Sequence, residues 1–301
     1  MSRRGLCFQL SLVLFAATGR MAFAEEAGRG RPDRQQLPQP VYRVAQQVAD
    51  AQPQQQQQQP ALGGAPAVAG EHPLVPALQM AHSSAETIRT KVKDYTCLMQ
   101  KRERIGGTLQ EPEIMFLKVR HEPFSAYTYF VAPTRLKGQE AIFVNGRNNN
   151  ELLGHGVGVR KVIGTVSLKP DGMIAMQNQR YPITEIGMQN LVKRLIEVAE
   201  RDKQYGECTV EFFKDAKIDQ RPCTCIQVLH PTPRRNFLFH KAQVFVDNEL
   251  NMPVRYAAYD WPARPGVAPP LLEEYTYYKI KINQNLTDAD FDTNNPAYGF
   301  R

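Results

Sequence analysis

The stretch CTVEFFKDAKIDQRPCTCIQVLH, running from Cys208 to His230, decides the fold class. Cys208, Val210, Phe212, Ala216 and Ile218 recur at every second position, interrupted at that parity only by Lys214. Thr209, Glu211, Asp215 and Lys217 fall between them. A period of two is the signature of a strand with one buried face. Asp219-Gln220 suits a tight turn, and Cys223 to His230 then returns as a second strand, so the pair reads as an antiparallel hairpin.

Similar segments lie on both sides of this hairpin. Tyr95 to Arg104, Glu113 to Arg120, Ala126 to Val131 and Ala141 to Asn145 precede it; Phe237 to Val246, Pro253 to Tyr259 and Leu271 to Ile282 follow it. Gly106-Gly107, and Gly146 with Asn148-Asn149-Asn150, mark turns, and the glycines between 154 and 172 suit loops between short strands. Two segments keep the helical period instead. Pro76 opens the first, and Leu78, Ala81, Ala85, Ile88 and Val92 form its stripe. The second is expected from about Glu185 to Lys203, capped by Thr184, with Met188, Leu191, Val192, Leu195 and Ala199 on one face. One helix before the strands and one among them predicts an α+β fold, an antiparallel sheet with its helices on one side. Several strands are apolar on both faces: Met115, Leu117 and Val119 share one face of their strand, Ile114 and Phe116 the other. One face can meet the helices; the other then needs a cover, a second sheet or an apolar ligand.

The N-terminus bears on location. Arg3 and Arg4 precede an apolar run from Leu6 to Ala17, and Ala22-Phe23-Ala24 fits a signal-peptidase site, so residues 1–24 read as a cleavable signal peptide and the protein as periplasmic or secreted. Arg3, Arg4 and Arg20 leave with it and no acidic residue does, which takes the formal charge from +7 to +4. No dense Lys/Arg tract suggests nucleic acid, and no later run is long enough for a transmembrane span in the mature chain. Residues 25–73 hold Gln54 to Gln59, repeated Gln and Pro and almost no aromatics, a composition that predicts a disordered linker. The single β-rich domain is expected over 74–301. Cys97, Cys208, Cys223 and Cys225 remain after cleavage. Cys223 and Cys225 share a strand face and cannot easily bridge, and a hairpin turning at Asp219-Gln220 puts Cys208 opposite Pro231, so free buried thiols are the favoured reading.

Motifs that carry chemistry are scarce. The six histidines are scattered, with no His-Glu-x-x-His helix, and no Gly-x-Ser-x-Gly elbow occurs. Asp288, Asp290 and Asp292 open like a calcium loop but lack its glycine and its closing glutamate, so a polar turn anchored by Leu286 and Phe291 is preferred. Arg234, Arg235, His240 and Lys241 beside Phe237 and Phe239 read as a solvated hairpin end ahead of an anionic head-group site. Glu273 and Glu274 are adjacent on a strand and point to opposite faces, so they cannot share acid–base work.

Several separated motifs resemble an uncharacterised family of exported bacterial domains. They are Tyr95-Thr96-Cys97 with Lys101-Arg102-Glu103-Arg104, Lys118-Val119-Arg120 with Pro123-Phe124, Arg180-Tyr181-Pro182-Ile183-Thr184-Glu185-Ile186-Gly187, and the ending Asp290-Phe291-Asp292, Asn295-Pro296, Tyr298 and Phe300. More distantly, Val244-Phe245-Val246-Asp247 leading to Pro253-Val254-Arg255, and the Gly146 turn after Ile142-Phe143-Val144, resemble the LolA/LolB-like lipoprotein-carrier superfamily. That resemblance implies a curved antiparallel half-barrel, lidded by the N-terminal and inserted helices, around a pocket for acyl chains.

The expected function is therefore non-covalent binding of a lipid, acyl chain or lipoprotein by an envelope protein, without enzymatic activity, cofactor or metal. The expected ligand-binding positions are the apolar sheet residues Met115, Leu117, Val119, Tyr129, Val144, Val210 and Phe212. The alternatives are a structural or sensory module that binds an envelope protein, and a hydrolase of unrecognised type.

Overall fold

The alternating segments become strands in the computed structural model, which describes residues 71–300. In chain order they are β1 (Asp94–Ile105), β2 (Thr108–Leu109), β3 (Glu113–Arg120), β4 (Ser125–Ala132), β5 (Glu140–Val144), β6 (Leu152–His155), β7 (Thr165–Leu168), β8 (Thr209–Ile218), β9 (Arg221–Leu229), β10 (Lys241–Asp247), β11 (Met252–Tyr259) and β12 (Leu271–Ile282). They form one sheet in the order β7-β6-β5-β4-β3-β1-β12-β11-β10-β9-β8, with β2 bonded to β1 off this path. Its pairings are antiparallel. β7 and β8 are the two edges and do not pair with each other, so the sheet is curved and open. Helix α1 (Val75–Lys91) precedes the strands and α2 (Met188–Asp202) enters between β7 and β8. The helices pack on each other and against β11. This is the α+β half-barrel with two helices expected above. The expected signal peptide, and the linker up to residue 70, lie outside the described residues, all of which belong to one unit, Pro40–Arg301.

The inner face carries the main core. Tyr95, Cys97 and Met99 of β1, Leu117 and Val119 of β3 and Tyr277 of β12 pack with Ile88 of α1 and Met188 and Val192 of α2. A second cluster joins Leu74 and Leu78 at the start of α1 to Val228, Ala242 and Ala258. On the opposite face of β4 and β5, the C-terminal segment supplies the cover. Phe291, Tyr298 and Phe300 bury with Tyr127, Ile142 and Val144, and Leu286 packs against them. The Tyr298 and Tyr127 rings stack with centroids 4.1 Å apart. Asp290 pairs with Lys118 at 2.7 Å, Asp288 with Arg120 at 2.8 Å and also with Arg147. The Asp-x-Asp-x-Asp carboxylates thus fasten a strap and diverge; no cluster able to hold a metal ion occurs among the described residues.

The structure corrects four local readings. The hairpin does turn at Asp219-Gln220, both with positive φ, but the register shifts between Phe213 and Ala216. Lys214 and Asp215 form a bulge, and an extra residue reverses side-chain parity. Ala216 and Ile218 therefore join Cys223, Cys225 and Phe245 on the opposite face and do not follow Val210 and Phe212. By the same shift Thr209 pairs with Leu229, so Cys208 does not lie opposite Pro231. The strand expected from Phe237 begins at Lys241, because Phe237 and Phe239 turn sideways to pack on His230, the first stacked at 3.9 Å. Helix α2 begins at Met188, three residues after Glu185; Ile183–Glu185 is a separate 3-10 turn. Gly187 is the cap, at φ 105° and ψ 164°, and the Met188 N–H donates to the Tyr95 hydroxyl at 3.0 Å.

The four cysteines among the described residues, Cys97, Cys208, Cys223 and Cys225, are free and buried. Burial pushes the Cys208 and Cys223 thiols up to about 11 and the Cys225 thiol up to about 12. Thiolate is the reactive form. Ellman's reagent at pH 8 is expected to leave these four unmodified until denaturant is added, a result read from the absorbance released before and after unfolding.

Candidate functional site

Two helices of 17 and 15 residues leave part of so wide a sheet uncovered. Between them and the inner face lies a cavity of about 1360 Å³. Typical small-molecule pockets hold roughly 300–1,000 Å³. Its walls follow from the two periodicities. The helices contribute Leu78 and Ala81 of α1 and Leu191, Leu195, Val198 and Ala199 of α2. The sheet contributes inward positions, among them Met99, Met115 and Phe130 on one side and Ile226, Val228 and Val244 on the other. The chain between β6 and α2 supplies Val157, Ile163, Ile174 and Ala175, with β7 itself adding Val166 and Leu168.

Of the apolar sheet positions expected to meet a ligand, Met115 lines this cavity. Leu117 and Val119 share its face but are sealed beneath the helices, 0% and 1% exposed. Tyr129 and Val144 lie on the opposite face, under the C-terminal strap. Val210 packs at the edge of the second inner cluster, and Phe212 stands half-buried beside it on β8. The period of two places Met115, Leu117 and Val119 together on one face of β3, as expected, but along β8 the bulge at Lys214-Asp215 breaks it. The period could not show which part of a face the helices close.

One end of the cavity is charged, a feature the sequence reading missed. Lys101 and Glu103 of β1, Glu113 of β3 and Glu273 of β12 point inward, each with a side chain 6–8% exposed. The Lys101 ammonium lies 3.3 Å from both Glu103 Oε2 and Glu113 Oε2, and also bonds the Gln179 side chain. Arg180 Nε lies 2.7 Å from Glu273 Oε2, and the Tyr181 hydroxyl donates to Glu273 Oε1 at 3.1 Å. The Tyr275 hydroxyl stands between two carboxylates, 2.5 Å from Glu103 Oε1 and 3.3 Å from Glu273 Oε2. Burial raises Glu273 above the usual carboxylate range, against the opposing pull of Arg180. Burial pushes the Tyr181 hydroxyl up to about 12 and the Tyr275 hydroxyl higher.

The chemistry of this cluster is that of a latch. Each carboxylate has a cation or hydroxyl against it, as a buried charge requires. Gln179, Arg180 and Tyr181 are consecutive residues of the chain between β7 and α2, and all three reach the sheet here; the Arg180 N–H also donates to Glu103 Oε2 at 3.2 Å. The network therefore holds that chain against the cavity. A signal for it does exist in the sequence: the inward parity of β1, β3 and β12 turns from apolar to charged at the same end, at Lys101/Glu103, Glu113 and Glu273. Glu274, one residue on, faces the other way and pairs with Arg255 at 2.7 Å, as the strand period required.

Residues 92–300 match the model of a family described as a protein of unknown function (DUF1571). No curated protein matches the chain. Among solved structures, a putative outer membrane lipoprotein-sorting protein domain from Vibrio parahaemolyticus is 11% identical, with a TM-score of 0.34 over 71% of this chain and 98% of its own. A LolA-superfamily protein from Nitrosomonas europaea is 12% identical, with a TM-score of 0.29 over 71% of this chain and 97% of its own. The lipoprotein LppX of Mycobacterium tuberculosis is 12% identical, with a TM-score of 0.41 over 72% of this chain and 100% of its own. Likeness at this level carries no argument about ligand or role.

Proposed function

The chain belongs to the DUF1571 family, whose role is unknown, and from that premise we propose that it is an envelope protein that binds a lipid or the acyl chain of a lipidated ligand non-covalently. The supporting observation is the cavity of about 1360 Å³, walled by aliphatic side chains of both helices and the inner sheet face. Each methylene moved from water into such a site contributes ~0.8 kcal/mol. A catalytic role is not part of the reading, because the buried carboxylates at the charged end are occupied by Lys101, Arg180, Tyr181 and Tyr275, and Glu140 and Asp202 elsewhere on the wall by Tyr127 and Arg201. Met115 is the residue of the expected apolar set that would touch the chain.

The test is direct. Purified protein is extracted with solvent and the extract examined by mass spectrometry; bound acyl lipid is expected, and stripped protein is expected to bind a fluorescent fatty-acid probe. Ala81→Trp, on the half-buried face of α1, puts an indole into the cavity and should weaken probe binding about tenfold or more through lost space and lost chain burial. Protein that carries no lipid and ignores the probe would leave the protein-interaction module as the better reading.

A further inference from the structure

We propose that the chain on either side of β7 docks this protein onto an anionic lipid bilayer, at the opening of the cavity. Seven large apolar residues are exposed among those described, and four fall between Val162 and Ile174. Val162 and Met173 are each 91% exposed, Ile163 and Ile174 each 70%. Monomeric soluble surfaces rarely concentrate apolar side chains in this way, and such a patch marks an interaction site. Ile163 and Ile174 also line the cavity, so the cavity reaches solvent at this patch.

The arrangement favours a bilayer over a protein. The apolar residues come as two pairs, Val162-Ile163 at the end of a 3-10 turn and Met173-Ile174 beyond Pro170. They flank a four-residue edge strand whose Thr165 and Ser167 are exposed. Four exposed apolar side chains supply less than the roughly 800 Å² per partner that a stable protein interface buries. Apolar pairs of this size suit shallow insertion among head groups and the first acyl carbons. Lys161 and Lys169 are both exposed beside the pairs, against a single exposed Asp171, which complements an anionic lipid surface. A lipid leaving such a surface would pass the patch into the cavity with its chain shielded from water. The docking step deepens the lipid-binding reading above, although the patch stands on its own exposure.

The experiment is flotation of the protein with vesicles of phosphatidylglycerol and phosphatidylethanolamine, and with vesicles of phosphatidylcholine alone. The protein is expected to float with the anionic vesicles and to release as salt rises. The double variant Val162→Asp with Met173→Asp changes two side chains that do not line the cavity. It should lose vesicle binding about tenfold or more, while binding the fatty-acid probe in vesicle-free solution like the unaltered protein. Lys161→Glu with Lys169→Glu should remove the salt-sensitive part of the binding. Unaltered protein that stays with neither vesicle, or an Asp variant that floats as well as the parent, overturns docking and leaves the cavity reading standing. Loss of probe binding in the parent overturns the cavity reading instead, with flotation unaffected.

Discussion

Lys101→Met is expected to lower the free energy of unfolding by about 3–5 kcal/mol at neutral pH, the range found when one partner of a buried ion pair is removed. The Lys101 side chain is 6% exposed and its ammonium sits 3.3 Å from both Glu103 and Glu113. Methionine keeps most of the volume and removes the charge. Two carboxylates then face an apolar cavity with less compensation, and Glu113 keeps only Arg135, at 3.7 Å. The pH dependence fixes the cause. A carboxylate stranded by burial has a folded pKa above its unfolded value near ~4.3. It therefore costs stability at pH above the folded value, and the cost disappears as pH falls toward the unfolded one. The gap between variant and parent in urea midpoint should be widest at pH 7–8 and close toward pH ~4–5. Glu273, already raised by burial in the parent, works in the same sense. Adding Glu113→Gln to Lys101→Met should return part of the loss at neutral pH. A midpoint equal to the parent's at every pH would show that the network contributes nothing to holding the fold.

What the sequence revealed divides by the range of the interaction. Strands set by their own alternation, the turn at Asp219-Gln220, and Leu286 and Phe291 as anchors of the C-terminal strap were legible, because each is decided within a few residues. The bulge at Lys214-Asp215 left a trace as a lysine at an apolar parity, yet that trace does not distinguish a bulge from a solvated edge. The opposite-face apolar residues Phe116, Tyr129 and Val144 asked for a cover, and the cover turned out to lie in the same chain, about 150 residues away in sequence. The charged end of the cavity was the least legible part. Its members lie on β1, β3 and β12 and in the chain before α2, and nothing local ties Glu273 to Arg180. Only the order β3-β1-β12, with Lys101 opposite both Glu113 and Tyr275, brings the charges together.

The start of α2 is the other feature set at long range, and it should respond to a single methyl group. Gly187→Ala is expected to destabilise the protein by about 2–5 kcal/mol, combining backbone strain with overpacking. At φ 105° and ψ 164° the residue occupies a region that is essentially glycine's alone. A Cβ built there would stand 2.6 Å from the Tyr95 hydroxyl, which is fully buried and cannot retreat to solvent. That same hydroxyl accepts the Met188 N–H at 3.0 Å and so serves as the cap that no side chain of the helix provides. The alanine thus strains the backbone and displaces the acceptor together. Tyr95→Phe separates the two effects. Alone it should cost about 1–2 kcal/mol, by leaving the Met188 N–H without its partner. Combined with Gly187→Ala it opens the space the methyl needs, so the double variant should be more stable than the sum of the singles by about 1–2 kcal/mol. Thermal or urea unfolding of the four proteins measures that coupling. Strict additivity would mean that the methyl and the hydroxyl never meet, and that α2 is positioned on the sheet by its apolar face through Met188 and Val192 alone.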